Sequence, residues 1–371
     1  MAEYLTNTAD LTAVANAIRE KGGTSEQLAC PDGFVSAIQA IQTGVPLQIA
    51  VTTNAGATVT ATKGSKTVSG TADTSGNCTL TVDEAGTWTI TAATASTTKT
   101  SDVVVGISNL DLPLVDSVLN NNSWETIKKV SDAGQGENYW SVGDRKAVTL
   151  NGTVGHLSLS NVTIYAFIIG FNHNASVEGA NRIHFQLGKT ALSGGTDIAL
   201  CDSSYKNTVG GFRMNTSRSN SGGWASSNMR TAICGTSLSS YSGTIIAVIP
   251  AALRAVLKSV TKYTNNTGNS IAASAVTATT DYFFLLSEYE VFGSTTYANS
   301  NEANKQAQYS YYSAGNSETK YNHSATSTVV RWWLRSPYAS TSSYFVYVLA
   351  DGTVNYRYAN YSYGFAPGFC V

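Results

Sequence analysis

Residues 344–358 read Tyr-Phe-Val-Tyr-Val-Leu-Ala-Asp-Gly-Thr-Val-Asn-Tyr-Arg-Tyr. Two alternating runs flank Asp351-Gly352, a dipeptide that supports a two-residue hairpin turn because both residues tolerate positive φ. Such a turn pairs Leu349 with Val354, Tyr347 with Tyr356 and Phe345 with Tyr358. One face of the expected hairpin then carries Phe345, Tyr347, Leu349, Val354, Tyr356 and Tyr358. The other carries Val346, Val348, Ala350, Thr353, Asn355 and Arg357. With Val346 and Val348 turned to the core, the aromatic row faces outward, and Arg357 on the inner face strains that register.

Tyrosine is the compositional anomaly around this hairpin. The chain has 20 tyrosines, of which Tyr338, Tyr344, Tyr347, Tyr356, Tyr358, Tyr361 and Tyr363 are crowded into one stretch with serine and asparagine between them. Tyr supplies large, rigid, amphipathic contact at low entropic cost, and Ser and Asn supply adaptable hydrogen bonds, so this mixture is that of a binding surface. The competing expectation is an aromatic hairpin that simply packs, since Tyr favours strands. A core, however, draws on Val, Leu and Phe rather than on phenols that each need a partner. The candidate ligand-contact residues are therefore Tyr338, Ser340, Ser342, Ser343, Tyr344, Phe345, Tyr347, Asn355, Tyr356, Tyr358, Asn360, Tyr361 and Tyr363. Just before them, Trp332-Trp-Leu-Arg-Ser-Pro337 reads as core, with Arg335 in a structural ion pair. Trp224, Met229 and Arg230 read the same way. Together with Trp332, Trp333 and Arg335 they form the expected scaffold beneath the candidate contact residues.

Upstream the chain divides in two. Residues 1–44 show helical spacing: Leu11, Val14 and Ile18, then Phe34, Ala37, Ile38 and Ile41, with capping-box spacing at Thr24-Ser-Glu-Gln27. Two such short helices cannot bury much surface alone, so this is an expected assembly or docking segment. Residues 46–106 switch to period two, as in Leu47, Ile49 and Val51, Leu80 and Val82, or Trp88 and Ile90. Asn54-Ala-Gly56, Lys63-Gly64, Ser75-Gly-Asn77 and Glu84-Ala-Gly86 break the runs, so a small antiparallel β-sandwich serving as a spacer is expected. Residues 107–371 form a larger α+β domain with long loops. It contains a helix from Trp124, capped by Ser123 and stopped by Gly134, and another from about Pro250 to Val260.

Only 13% of residues are charged, against an ordinary ~25%, and the net charge is −1. An electrostatic nucleic-acid binder needs a basic face, so nucleic acid is not an expected partner. No apolar run reaches the ~18–20 residues of a membrane span. Met1–Leu11 has neither a basic n-region nor an apolar h-region, so no signal peptide is expected. The five cysteines are widely spaced and read as free thiols, with a Cys201–Cys234 bridge the weaker alternative. The four histidines have no zinc-binding spacing, and GxSxG, P-loop and GxGxxG motifs are absent. No catalytic residue, metal or cofactor is expected.

Several motifs together resemble the variable proteins of diversity-generating retroelements. They are the WWLRSP segment, the Ser/Tyr/Asn stretch after it, Ala350-Asp-Gly352 and the closing Gly364-Phe-Ala-Pro-Gly-Phe-Cys-Val371. Tyr139-Trp-Ser-Val-Gly-Asp144, Gly170-Phe-Asn-His173, Gly222–Thr231 and Leu286–Gly293 add to the likeness, which covers about 115–371. Ala85–Ala92 resembles the last strands of bacterial and phage Ig-like modules, and residues 1–44 resemble a segment of phage tail proteins. The resemblance implies a C-type-lectin-like fold of the formylglycine-generating-enzyme type, with a variable region at about 338–366 rewritten through adenine codons. It also implies a non-enzymatic, receptor-binding protein at a phage tail tip. Its expected partners are a host surface protein or glycan, other tail proteins and copies of itself, with a trimer as first guess. Calcium-ligand motifs of sugar-binding lectins are absent, and the closing Ala366-Pro367-Gly368 replaces an Arg-Pro-Ala-like end. The alternatives are a bacterial surface adhesin and an enzyme on the formylglycine-generating scaffold using Cys201 and Cys234.

Overall fold

The computed structural model describes residues 15–16, 47–105, 110–111, 115–208 and 210–371. The helices expected within residues 1–44 lie outside these apart from Ala15 and Asn16, which are helical. The described residues are mostly β-sheet with few and short helices, and the chain separates into two compact units, Met1–Leu114 and Val115–Val371.

The described residues of the first unit form two sheets around one core. Strands β1 (Leu47–Thr52), β2 (Thr58–Lys63), β3 (Lys66–Thr71), β4 (Asn77–Val82), β5 (Gly86–Ala93), β6 (Thr98–Val105) and β7 (Leu110–Asp111) form the sheets β4-β1-β7 and β3-β2-β5-β6. The period-two pattern has its expected consequence. Ile49, Val51, Leu80, Val82, Trp88 and Ile90 are buried in one cluster, while their Thr and Ser neighbours face solvent or the sheet rim.

The second unit is built on a five-stranded sheet. Its strands are β8 (Arg145–Val154), β9 (Leu157–Phe171), β10 (Ile183–Lys189), β11 (Ile198–Ala199), β12 (Val260–Asn265), β13 (Val276–Asp281), β14 (Phe283–Phe284), β15 (Lys320–Asn322), β16 (Ala325–Val330), β17 (Trp332–Pro337), β18 (Tyr344–Val348), β19 (Val354–Tyr358) and β20 (Gly368–Cys370). The central order is β14-β20-β10-β9-β8, so the last strand of the chain sits between strands formed long before it. Ile183 and Val371 exchange backbone hydrogen bonds at 3.0 and 3.1 Å. The helix Trp124–Asp132 begins where expected: Ser123 accepts a hydrogen bond from the Thr126 N–H, and Trp124, Ile127 and Val130 are buried. Trp124 meets Phe185 edge-on at 5.6 Å, and Phe185 stacks on Phe369 at 5.2 Å.

The helix expected over 250–260 is a single turn, Ala251–Arg254. Val260 is instead needed as the first residue of β12, paired with Asp281, so sheet pairing overrides local helix propensity there. The described cysteines, Cys78, Cys201, Cys234 and Cys370, are free and buried.

The WWLRSP segment is strand β17, buried from end to end. Its Arg335 is completely enclosed and forms a two-pronged pair with Glu290, one prong at 2.7 Å. Its remaining donors reach Thr264 Oγ1 at 2.9 Å and the Leu285 carbonyl at 2.8 Å. Glu290 also accepts from Lys262 at 2.9 Å, and Lys262 reaches Glu178 at 2.6 Å and the Tyr309 hydroxyl at 2.8 Å. Burial opposes the charge on Glu290, but the adjacent Arg335 and Lys262 outweigh it and hold the carboxyl far below the usual range. Glu302, on the segment Ser300–Asn304, accepts from the Asn265 N–H at 2.9 Å and from Ser336 at 2.8 Å.

Burial pushes Glu302 up to about 7. A carboxyl raised in the folded state contributes stability below its ordinary pKa, and loses it as pH climbs to the folded value. Glu302→Gln removes that titration. Relative to wild type it should gain on the order of 3 kcal/mol between about pH 4.5 and 7.5, and stay level above that. Urea melts of both proteins across this range check it. Parallel pH profiles would mean that Glu302 is ionised throughout.

Candidate functional site

The hairpin of β18 and β19 corrects the register expected from Asp351-Gly352. Tyr344 pairs with Tyr358, Phe345 with Arg357, Val346 with Tyr356, Tyr347 with Asn355 and Val348 with Val354. The loop has three residues, not two. Leu349 N–H donates to the Thr353 carbonyl at 2.7 Å, Gly352 N–H donates to the Leu349 carbonyl at 3.1 Å, and Gly352 has a φ of 87°. Asp351 Oδ1 accepts from Thr353 N–H and Oγ1, which holds the loop. One added loop residue slides the second strand by one, and a slide of one turns every side chain on it to the opposite face.

The expected aromatic row is therefore split. One face carries Tyr344, Val346, Val348, Val354, Tyr356 and Tyr358, and the other Phe345, Tyr347, Asn355 and Arg357. Arg357 is exposed rather than turned to the core, which removes the strain of the two-residue register. Phe345, Tyr347 and Tyr363 are buried, at 0%, 5% and 2% exposure, so they support the surface rather than form it. Burial raises the Tyr347 phenol and takes Tyr363 up to about 12. Ser340 and Ser342 are exposed, and Tyr338, Ser343, Tyr344, Asn355, Tyr356, Tyr358, Asn360 and Tyr361 are half-buried.

The rings form a connected layer. Tyr338 stacks on Tyr356 at 4.4 Å, and Tyr344 lies 5.1 Å from Tyr356 and 4.7 Å from Tyr358. Tyr297, from outside the stretch, meets Tyr338 and Tyr356 edge-on at 5.7 and 4.9 Å. Around the end of β19 the layer continues from Tyr358 to Tyr361, Tyr363 and Tyr347, and ends on Trp333. Edge and offset contacts of this kind are the arrangements aromatic pairs prefer, and they hold the rings against one another.

Residues that carried no signal in the sequence hold this layer in place. Asn220 is wholly buried; its side-chain amide donates to the carbonyls of Tyr338, Thr341 and Tyr344, and its N–H donates to that of Ser342. It pins the serine-rich loop from beneath. Glu288 accepts N–H groups from Thr296, Tyr297 and Ala298, fixing the segment that presents Tyr297. Trp333 donates its indole N–H to the Phe212 carbonyl at 2.9 Å, and Trp332 donates to that of Glu318 at 2.8 Å. Trp224 and Arg230 both bind Asp281, at 3.0 and 2.6 Å. Of the six residues expected as scaffold, Trp224, Arg230, Trp332, Trp333 and Arg335 are thus buried or mostly buried with a named partner, and Met229 is wholly buried.

Over residues 203–371 the chain matches the model of a family described as a domain of unknown function, DUF6273. That stretch includes the whole tyrosine layer, Asn220, Arg335 and Glu290. No curated protein matches the chain.

Two other places bring together residue types that carry chemistry. Ligand atoms of His173, Glu178 and Glu290 lie within 4.8 Å of one another. The Lys262 ammonium already bridges the two carboxylates, so its charge fills the place a cation would take. Burial and the nearby Lys262 push His173 down to about 3 and His184 well below its ordinary value, so both are neutral. A groove of about 640 Å³ is lined by Leu157, Val162, Cys201, Asp202 and His323, among others. Burial lifts the Cys201 thiol to about 12, and His323 Nδ1 accepts the Cys201 backbone N–H, leaving no activated nucleophile there. Among the described residues no helix is long and apolar enough to cross a membrane.

Proposed function

We propose that this chain is a display protein whose variable C-terminal surface binds a macromolecular ligand on a host cell. The observation that carries the reading is the tyrosine, serine and asparagine layer of 338–361, raised on a buried, ion-paired scaffold. Half-exposed phenols in rigid mutual contact, with exposed serines beside them, have the composition and the preorganisation of a paratope. Their support comes from residues outside the stretch, so side chains at Ser340, Ser342, Tyr356 or Asn360 can change while Asn220, Trp333 and Arg335 hold the backbone. The fold assignments that go with this reading are an Ig-like spacer for 46–106 and a C-type-lectin-like domain for the remainder. The residues before 46 would join it to a phage tail and to other copies of itself. No catalysis is part of the reading: Cys201 and Cys234, the pair an enzyme on this scaffold would use, are buried thiols held protonated. A bacterial surface adhesin would use the same face.

The test is to sequence the locus from related isolates, together with its flanking DNA. Substitutions should gather within 338–366, chiefly at half-exposed and exposed positions, and spare Phe345, Tyr347 and Tyr363. A reverse transcriptase and an adenine-rich template copy should lie nearby. Changes spread evenly along the chain would overturn the display reading.

A further inference from the structure

One end of the tyrosine layer carries a second pattern. Four rings follow one another: Tyr358, Tyr361, Tyr363 and Tyr205, with successive centroids 6.1, 6.3 and 6.2 Å apart. Each ring carries a cation. Arg218 lies 4.3 Å over Tyr358, Arg357 4.5 Å over Tyr361, Arg331 5.9 Å over Tyr363 and Lys206 5.3 Å over Tyr205. Arg218, Arg357 and Lys206 are exposed and Arg331 is half-buried. Among the described residues none of the four is paired with a carboxylate, although Arg230, Arg335, Lys189 and Lys262 all are. The Nε of Arg331 is buried with no hydrogen-bond partner. Asp202 is near the track, its Oδ1 accepting from Ser362 Oγ at 3.4 Å and from the Ser204 N–H at 2.9 Å, but it is buried, its Oδ2 has no hydrogen-bond partner, and it forms no ion pair with any of the four. In a chain of net charge −1, four unpaired cations on adjoining rings are a segregated patch.

Resting on the display reading, we infer that this track binds an acidic polypeptide segment: an extended stretch of the partner protein bearing carboxylates at alternate positions. Stacking on a ring fixes a guanidinium flat and leaves its N–H edge free, and that edge matches a carboxylate with two parallel hydrogen bonds. Alternate side chains of an extended strand lie about 6.6–6.8 Å apart, close to the spacing of the rings. A glycan fits less well, because the flat faces on which a sugar ring would lie are partly taken. Guanidinium groups cover Tyr358 and Tyr361, and Tyr338 and Tyr356 cover each other. Lys206, Arg218 and Arg331 lie outside 338–366, so three of the four cations stay fixed while the centre of the surface varies. The track would supply a constant preference for acidic protein surface and steer the encounter, and the variable residues would choose among such surfaces.

The probe is fluorescently labelled short poly-L-glutamate, titrated against the full chain, with poly-L-lysine and polygalacturonate for comparison. Polyglutamate should bind and polylysine should not, and affinity should fall about tenfold or more between about 50 mM and 300 mM salt. The R218Q/R357Q double variant should lose about tenfold in affinity for polyglutamate while keeping the wild-type melting temperature, since both side chains are exposed. Polyglutamate that does not bind, or binds the double variant equally well, overturns the inference, as does tighter binding of polygalacturonate. The outcome separates from the parent reading. Substitutions clustered within 338–366, with no polyglutamate binding, leave a display surface of another preference. Polyglutamate binding without such clustering leaves a fixed acidic-ligand site and sinks the display reading.

Discussion

Replacing Glu290 with alanine should cost about 3–5 kcal/mol, a large fraction of the ~5–15 kcal/mol that holds an ordinary domain folded. Glu290 is the anion that two fully enclosed cations share. It pairs with both arms of the Arg335 guanidinium and lies 2.9 Å from the Lys262 ammonium. Without it, two positive charges remain buried with only Glu178 and Glu302 nearby, carboxyls that burial pushes up to about 7, and an uncompensated buried charge costs far more than a paired one returns. Glu290 also closes the capping box of its own helix, accepting from the Ser287 N–H at 3.0 Å while Ser287 accepts from its N–H. That second role is worth only ~1 kcal/mol. Glu290→Gln keeps the shape and can keep the cap, so the difference between the alanine and glutamine variants in urea melts measures packing plus the cap, and the loss in the glutamine variant measures the missing charge. Both should fall well below wild type. Arg335→Met should fall with them, and an Arg335→Met, Glu290→Met pair should recover part of the loss by removing both charges at once. A Glu290→Gln variant within ~1 kcal/mol of wild type would mean that the cluster is not what holds β17 in place.

How far these features could be read from the sequence depended on the distance over which they are specified. Period-two alternation is local, and it placed β1, β4 and β5 with their buried residues. The Ser123 cap and the Gly134 stop are local too, and they bound the helix between them. Arg335 could be read as a buried structural cation from the tryptophans beside it, but its partner lies 45 residues away. Glu290 did leave a mark, the Ser-x-x-Glu spacing from Ser287, yet that pattern speaks only of a helix start. Asn220 and Arg218 sit in an irregular Ser- and Asn-rich stretch where no periodicity sets them apart from their neighbours. The helix assigned to 250–260 failed because pairing of Val260 with Asp281 is a long-range demand. The hairpin failed by one residue. Asp-Gly suits a two-residue turn and also the second half of a three-residue loop with glycine at positive φ, and local sequence does not separate them. That single residue decided which tyrosines are surface and which are core.

The register has a stability consequence that settles it by measurement. In a two-residue turn Tyr347 and Tyr356 would stand opposite one another on one outward face, and truncating either would cost little and about the same. With Ala350, Asp351 and Gly352 all in the loop, Tyr347 points inward, 4.9 Å from the Tyr363 ring and 5.9 Å from Trp333, with 5% of its surface exposed. Tyr347→Ala should therefore cost about 3–4 kcal/mol and Trp333→Ala about 3–5 kcal/mol, as buried aromatic truncations do. Tyr356→Ala, on the half-exposed face, forfeits only ring contacts with Tyr297, Tyr338 and Tyr344 and should cost about 1 kcal/mol. Double-mutant cycles sharpen the comparison. Tyr347 and Tyr363 should couple by ~0.5–1.5 kcal/mol, whereas Tyr347 and Tyr356, on opposite faces, should be additive. Equal small losses at Tyr347 and Tyr356, with coupling between them, would restore the two-residue turn and return Tyr347 to the outward face. The expected asymmetry leaves Tyr338, Tyr344, Tyr356, Tyr358 and Tyr361 as the phenols a ligand can reach, with Tyr347 and Tyr363 holding them from behind.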